Sequence, residues 1–217
     1  MTYSAVLFDL DGTLLDTLAD LGDSMNAVLV GLGYPAHELD AYRYFVGDGV
    51  ENLVRRTLPE NVRADAALVR SVVARMRAEY SRRWKDKTRL YDGIPELLDG
   101  LLSKGIRLAI LSNKPHTAVL EVVDHFFGKW HFDAALGARP DVPIKPDAGA
   151  ALEVARTMAL SPAAFLYLGD TNTDMITAAA AGMFPVGALW GFRTEEELRA
   201  SGALALAAHP RQVLDLV

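Results

Sequence analysis

The sequence predicts an α/β fold, in which a parallel sheet carries helices on both faces and an α-helical domain is inserted. Short apolar runs alternate with helical patterns, which is typical of such a sheet. Roughly one hundred residues separate the first two runs, although a crossover between parallel strands needs only about a dozen. The chain has 217 residues, 51% of them hydrophobic, and is therefore long and apolar enough for a sizeable core.

Five apolar runs predict the strands of the sheet, and the helices between them have recognisable ends. Pro95 suits the first turn of one helix, which Gly105 ends, and an Ala-rich helix over residues 174–181 ends at Gly182. Together these elements predict a Rossmann-like core over residues 1–15 and 89–217. The five runs are residues 5–8, 108–111, 132–136, 165–168 and 185–189.

The long insertion, residues 16–88, is predicted to be a helical cap domain, because its three segments with a recognisable pattern are all helical. Leu68, Val72, Met76 and Tyr80 follow one another at steps of four, which places them on one face of a helix. The insertion contains as many basic as acidic residues, so the net charge of −6 belongs to the core. The predicted helices are residues 24–32, 50–58 and 65–84.

Composition and charge exclude several classes of protein. The net charge of −6 offers no basic surface for nucleic acid or an anionic membrane. The chain contains no cysteine, which excludes a disulfide scaffold, a thiolate metal site and a cysteine nucleophile. Residues 1–4 carry no positive charge and the apolar run 5–8 is short, so we expect no signal peptide there, and Gly and Pro interrupt the long uncharged stretch over 178–192. We therefore expect a soluble, cytoplasmic protein, either a monomer or a homodimer.

Acidic residues follow two of the predicted strands. Asp9 and Asp11 come directly after the first strand, and Asp170 and Asp174 come after the fourth. Ligands of a parallel sheet bind outside the carboxyl ends of its strands, so these four side chains are expected at one edge. Like charges repel unless a cation lies among them, and Mg²⁺ suits a site of few carboxylates, waters and phosphate. Taken singly, each pair is also compatible with turn or helix-start chemistry.

A hydroxyl and a lysine complete a set suited to phosphoryl transfer. Ser112 follows the second strand, and Lys145 precedes a helical pattern; alone, they would be a helix cap and an exposed charge. Beside carboxylates, a lysine can neutralise both an aspartate and a phosphoryl oxygen, and an aspartate can be the covalent nucleophile. The loop around Gly47 offers backbone N–H groups for a carboxylate, although an ordinary loop before a helix explains it equally well. The candidates for binding substrate or phosphate are Ser112, Asn113, Gly12, Thr13 and Gly47.

These segments together resemble the four motifs of the haloacid dehalogenase-like hydrolases. The motifs are matched by residues 9–13, by Ser112, by Lys145 and by residues 169–174, and they extend over the chain. The helical insertion resembles the α-helical cap of that family. Further phrases are similar to the phosphoglycolate phosphatase branch, namely residues 45–50, 111–115, 144–146 and 190–193.

The resemblance implies a role for each motif residue. Asp9 would attack phosphorus and carry an aspartyl-phosphate, while Asp11 would protonate the leaving alcohol and then activate water. Lys145, with Ser112, would fix the nucleophile and the phosphate. The Asp9 carboxylate, the Asp11 backbone carbonyl and Asp170 would hold Mg²⁺, and Asp174 would bind it through water or orient the other ligands.

The leading hypothesis is a Mg²⁺-dependent phosphatase of small phosphorylated metabolites, with 2-phosphoglycolate as the best single substrate. A mutase similar to β-phosphoglucomutase is the alternative within the same family, since it also has Asp11 and a helical cap. A receiver-type signalling protein with a phosphorylatable aspartate is the alternative from another class, and a catalytically silent relative is the third. The long insertion argues against the receiver, and the intact set of acids and lysine argues against the silent relative.

Overall fold

The computed structural model describes residues 3–217, which fold into two compact units. One unit, the core, ends its first segment at Leu15 and resumes over Leu90–Val217, while the other comprises Asp16–Arg89. The strands are β1 (Ala5–Phe8), β2 (Leu15–Asp16), β3 (Arg89–Leu90), β4 (Arg107–Pro115), β5 (Ala134–Ala138), β6 (Phe165–Gly169), β7 (Phe184–Ala188) and β8 (Ala205–Ala207).

Nine α-helices are found within residues 3–217, together with short 3-10 turns. They are α1 (Leu18–Gly31), α2 (Tyr42–Phe45), α3 (Val50–Thr57), α4 (Ala66–Arg83), α5 (Ile94–Ser103), α6 (His116–Phe127), α7 (Gly149–Thr157), α8 (Asn172–Ala181) and α9 (Glu195–Ala200). The 3-10 turns are Leu39–Ala41, Pro162–Ala164 and Pro210–Asp215. None of these helices is both long enough and apolar enough to cross a membrane.

The core contains a six-stranded parallel sheet in the order β5-β4-β1-β6-β7-β8, which confirms the predicted α/β class. The central strand β1 is completely buried, as expected of a parallel strand covered on both faces. After β1, the chain adds β4 and then β5 on one side of that strand. It then adds β6, β7 and β8 in turn on the other side. The strand order therefore reverses between β1 and β6, where such sheets bind ligands.

The largest differences from the predicted bounds concern β5, β4 and α1. The strand predicted over 132–136 begins and ends two residues later, at Ala134–Ala138, and β4 extends to Pro115 through a register shift after Leu111. The edge strand β8 has only three residues and was not predicted, since such a short run gives little periodic signal. The helix predicted over 24–32 begins earlier, at Leu18.

The helical unit is held by an apolar interface and by one buried carboxylate. Helices α1 and α4 pack against each other, with Met25 and Leu29 of α1 and Val72 of α4 all buried. The carboxylate of Asp20 accepts hydrogen bonds from the backbone N–H groups of Lys87 and Thr88 and from the Thr88 hydroxyl. This carboxylate therefore fastens the end of the unit to its first helix.

Candidate active site

The centre of the candidate site is a buried lysine between two carboxylates. The Nζ atom of Lys145 lies 2.7 Å from Oδ1 of Asp9 and 2.6 Å from Oδ1 of Asp174, and it also donates to the carbonyl of Leu111 at 3.2 Å. The Lys145 side chain is only 3% exposed. Burial opposes its charge, but Asp174 and Asp9 outweigh burial and raise the pKa of Lys145 well above its ordinary value. The lysine is therefore a permanent cation.

Asp9 directly follows the central strand β1, and only one of its two carboxylate oxygens accepts a hydrogen bond from residues 3–217. Its backbone N–H donates to the carbonyl of Leu168, which ties the residue after β1 to β6. Within residues 3–217, Oδ1 accepts from Lys145, whereas Oδ2 accepts no hydrogen bond. Burial and then the charge of Asp174 raise the pKa of Asp9 well above its ordinary value, although Lys145 opposes them.

Asp170 is fully buried and receives one hydrogen bond on each oxygen. The Thr13 hydroxyl donates to Oδ1 at 2.7 Å, and the Phe192 backbone N–H donates to Oδ2 at 2.8 Å. Burial, followed by the charge of Asp174, raises the pKa of Asp170 from 3.8 to about 7, against the effect of these two hydrogen bonds. Ionised Asp170 is therefore incompletely compensated by the protein alone.

The donor set fits a divalent cation. Asp9, Asp170 and Asp174 are all buried, and each offers a carboxylate oxygen within 4.8 Å of the others. When all three are ionised, Lys145 leaves the cluster with a charge of −2, which one divalent ion would neutralise. Oxygen-only sites of this kind suit hard cations. The residues present can therefore hold a metal, as the pattern of acids in the sequence indicated.

Of the three clustered aspartates, Asp174 accepts the most hydrogen bonds. Its Oδ2 accepts from the backbone N–H and the hydroxyl of Thr171, which caps helix α8. Its Oδ1 accepts from Lys145 and, at 3.4 Å, from the hydroxyl of Tyr167. Burial raises the pKa of Tyr167 well above its ordinary value, so this hydroxyl stays protonated and can donate. Asp174 thus anchors Lys145 together with Asp9.

The carboxylate of Asp11 lies apart from this cluster. It pairs with Lys114, whose Nζ lies 2.8 Å from Oδ1 and 3.0 Å from Oδ2. Among residues 3–217, the group of acids suited to a metal contains Asp9, Asp170 and Asp174 but not the Asp11 side chain. The sequence did not single out Lys114, although it lies in the segment directly after Ser112.

Of the predicted phosphate binders, Ser112 has a suitable hydroxyl and Asn113 has a different role. Ser112 is buried, and its Oγ accepts from the backbone N–H of Lys114, which leaves the hydroxyl proton for a ligand. The amide of Asn113 instead makes a reciprocal pair with the backbone of Lys145, at 2.9 and 3.1 Å. The Asn113 side chain therefore positions Lys145, and phosphate binding by Asn113 stays a prediction.

Gly12 and Thr13 donate hydrogen bonds inside the structure, and phosphate binding by these two residues stays a prediction. The N–H of Gly12 donates to the carbonyl of Leu15, that of Thr13 donates to Leu10 at 3.4 Å, and the Thr13 hydroxyl donates to Asp170. Within the described chain, the N–H groups of Leu10 and Asp11 donate no hydrogen bond. The sequence analysis did not single out these two N–H groups, which lie next to Asp9.

Gly47 belongs to the helical unit, in the loop between α2 and α3. It has a φ of 110°, and its neighbour Gly49 has a φ of 84°, which L side chains rarely adopt. The carboxylate of Asp48 between them pairs with Arg56. A role of Gly47 in binding substrate stays a prediction.

Comparison with known proteins agrees with this geometry. The family model of haloacid dehalogenase-like hydrolases matches residues 6–188. A phosphoglycolate phosphatase of Pseudomonas putida is 33% identical over 190 residues, which are 86% of this chain and 70% of the relative. That of Psychrobacter arcticus is 31% identical over 206 residues, covering 92% of this chain and 89% of the relative.

Solved structures show the same fold over the full length. A protein from Lactobacillus delbrueckii subsp. bulgaricus superposes with a TM-score of 0.92 at 29% identity, covering 100% of this chain and 98% of the other. A hydrolase of the haloacid dehalogenase-like family from Streptococcus pneumoniae gives a TM-score of 0.87 at 25% identity, covering 99% and 98%. The family match and the two curated relatives establish that this chain belongs to the haloacid dehalogenase-like hydrolases.

Proposed function

We propose that this hydrolase is a Mg²⁺-dependent phosphatase that cleaves small phosphomonoesters by transferring the phosphoryl group to Asp9. The observation that carries the proposal is the asymmetric environment of the Asp9 carboxylate. Lys145 fixes Oδ1 at 2.7 Å, while Oδ2 accepts no hydrogen bond from residues 3–217. An anchored carboxylate with one uncommitted oxygen is what a nucleophile for in-line attack on phosphorus requires.

Hydrogen-bond donors for the phosphate oxygens lie next to Asp9 in the sequence and on the neighbouring strand. The backbone N–H groups of Leu10 and Asp11 follow Asp9 directly, and Ser112 lies in the neighbouring strand β4, directly after Leu111, where the register shifts. Backbone N–H groups and hydroxyls bind phosphate well, because they complement its charge and geometry. We assign phosphate binding to these groups together with Lys145.

The metal in this proposal is Mg²⁺, held by the Asp9 and Asp170 carboxylates and the backbone carbonyl of Asp11. Bound there, it would neutralise charge on the phosphoryl oxygens and orient the substrate. Asp174 has four donors on its two oxygens, so we assign it to orienting Lys145 rather than to direct coordination. The charge of −2 calculated for the ionised cluster supports a divalent rather than a monovalent cation.

The side chains carry the reaction in two displacements. Oδ2 of Asp9 forms a bond to phosphorus as the ester P–O bond breaks, and Asp11 gives its proton to the departing alcohol oxygen. A water molecule then attacks phosphorus, Asp11 takes a proton from it, and the bond to Asp9 breaks to release phosphate. Both steps leave Asp9 and Asp11 as they began, so the cycle balances.

The relatives support a substrate for the proposed phosphatase. The two curated relatives are phosphoglycolate phosphatases, which supports 2-phosphoglycolate as the substrate, with glycolate and phosphate as products. We assign the helical unit, Asp16–Arg89, the role of a cap that recognises the part of the substrate beyond phosphate. Gly47 is the candidate within it for binding the substrate carboxylate.

A panel of phosphorylated metabolites, assayed with and without Mg²⁺, tests the proposal. We expect phosphate release that requires Mg²⁺, is fastest with 2-phosphoglycolate, and is lost in Asp9→Asn. Isomerisation of a sugar phosphate without phosphate release would instead show a mutase. A phosphoprotein that lasts for minutes without turnover would show a receiver-type protein. Turnover that is unchanged in Asp9→Asn would contradict the assignment of the nucleophile.

A further inference from the structure

The loop that follows β7, residues 189–193, is joined to Asp170 and to the loop after β1. The Phe192 backbone N–H donates to Oδ2 of Asp170, and the Thr13 hydroxyl donates to Oδ1. The indole Nε1 of Trp190 donates to the backbone carbonyl of Thr13 at 2.9 Å. A closed ring of contacts therefore runs from Asp170 through Phe192 and Trp190 to Thr13 and back to Asp170.

Two glycines allow both loops to lie directly against the carboxylate. A Cβ atom added at Gly191 would overlap Cβ, Cγ and Oδ2 of Asp170, and one added at Gly12 would overlap Asp170 and the ring of Phe192. Gly12 also has a φ of 92°, which disfavours any side chain. The carboxylate of Asp170 is thus enclosed by backbone from both sides and cannot rotate without moving a loop.

We infer that the 189–193 loop is a positioning element for metal binding by Asp170, with Trp190 as its anchor and Gly191 as its point of closest approach. The inference rests on the proposed function, because it assumes that Asp170 binds the metal. Each oxygen of Asp170 gives one lone pair to a protein donor and keeps another for an ion. Fixing both oxygens at once sets the direction of those remaining lone pairs.

Trp190 acts on Asp170 through Thr13. The indole N–H of Trp190 holds the backbone carbonyl of Thr13, and the hydroxyl of Thr13 holds Asp170. Partners that orient a metal ligand typically affect metal affinity by about 10- to 100-fold when they are removed. Trp190→Phe keeps a six-membered aromatic ring but removes the N–H donor together with the five-membered ring, a loss that the control Trp130→Phe shares, whereas Gly191→Ala adds a single methyl group against Asp170.

The test is binding of Mn²⁺, as a paramagnetic substitute for Mg²⁺, to the full chain without substrate, measured by electron paramagnetic resonance. Trp190→Phe is matched by Trp130→Phe, because Trp130 donates from its indole to Asp99 at an exposed place. Gly191→Ala is matched by Gly31→Ala, whose new Cβ meets nothing within 4 Å. We expect the Mn²⁺ dissociation constant to rise about 10-fold in Trp190→Phe and up to about 100-fold in Gly191→Ala, with both controls unchanged.

Two further measurements distinguish a positioning role of Trp190 from general destabilisation of the fold. The metal-free melting temperature of Trp190→Phe should stay near that of its control, and saturating Mg²⁺ should restore its kcat. If Gly191→Ala does not fold, Trp190→Phe decides the question alone. Wild-type Mn²⁺ affinity in folded Trp190→Phe would overturn the inference and leave the proposed function intact. Failure of the wild-type protein to bind Mn²⁺ would overturn both.

Discussion

The Nζ atom of Lys114 donates to both carboxylate oxygens of Asp11, at 2.8 and 3.0 Å, and the Lys114 side chain is only 6% exposed. Among residues 3–217, the group of acids suited to a metal contains Asp9, Asp170 and Asp174 but not Asp11. The two acids that follow β1 therefore have different partners, although they stand only two positions apart. Asp9 faces Lys145 and Asp11 faces Lys114, which suits the proposed attack on phosphorus by Asp9 and the proposed proton transfer by Asp11.

Replacing Lys114 by Met should affect substrates according to their leaving group. The value of kcat/KM for 2-phosphoglycolate should fall by roughly 10²-fold, because a misplaced Asp11 cannot protonate an alkoxide efficiently. The value for p-nitrophenyl phosphate should fall much less, since nitrophenolate leaves without a proton. The control is Lys129→Met, which removes an exposed lysine paired with Asp99. An equal loss for both substrates would show that Lys114 acts on the phosphate instead.

The stability of the metal-free protein should decrease as the pH rises from about 4 to about 7. Burial and Asp174 raise the pKa of folded Asp170 from 3.8 to about 7, so in this range the folded state binds more protons than the unfolded chain. Raising the pH then favours unfolding until Asp170 has ionised. Urea denaturation in EDTA should show this slope.

Saturating Mg²⁺ should weaken the dependence of stability on pH, because a cation stabilises ionised Asp170. Asp170→Asn should also reduce the slope in EDTA, since the group responsible has been removed. A slope of the opposite sign in the wild-type protein, or one that persists in full in Asp170→Asn, would contradict the assignment.

Lys145→Met should destabilise the fold as well as abolish turnover. The lysine is buried between Asp9 and Asp174, and removing one partner of a buried ion pair typically costs about 3–5 kcal/mol. Chemical denaturation at neutral pH measures this loss. A stability within about 0.5 kcal/mol of the wild type would show that the two aspartates do not depend on Lys145.

Two aspartates of helix α1 should differ sharply in their importance for the helical unit. Asp20 is 2% exposed and accepts four hydrogen-bond contacts from Lys87 and Thr88, so Asp20→Ala should cost about 3 kcal/mol by leaving buried donors unpaired. Asp23 makes an exposed ion pair with Lys87, and Asp23→Ala should cost less than about 1 kcal/mol. Urea denaturation of both variants provides the comparison, and equal losses would refute it.

The sequence predicted the convergence of the acids because the relevant signals are local. Buried apolar runs mark β1 and β6, and the acids follow each run at once, so adjacent parallel strands bring Asp9 and Asp170 to one edge. The end of the Ala-rich helix was equally predictable from Gly182, since glycine readily adopts the left-handed conformation that ends α8 here.

The roles that the sequence could not predict depend on contacts between distant parts of the chain. Asn113 meets the backbone of Lys145, 32 positions away, and Lys114 meets Asp11, 103 positions away. No periodicity or propensity encodes such a pair. The N–H donors of Leu10 and Asp11 were missed for a related reason, since every residue except proline has this group and only the fold shows which ones are left unused.

The most direct test of the account is to locate the phosphoryl group during turnover. The protein is mixed with 2-phosphoglycolate and Mg²⁺, quenched in acid, reduced with borohydride to convert an acyl phosphate to an alcohol, and mapped by peptide mass spectrometry. The account predicts that Asp9 alone is converted. Asp9 that remains unmodified while phosphate is being released, or conversion of another carboxylate, would contradict it.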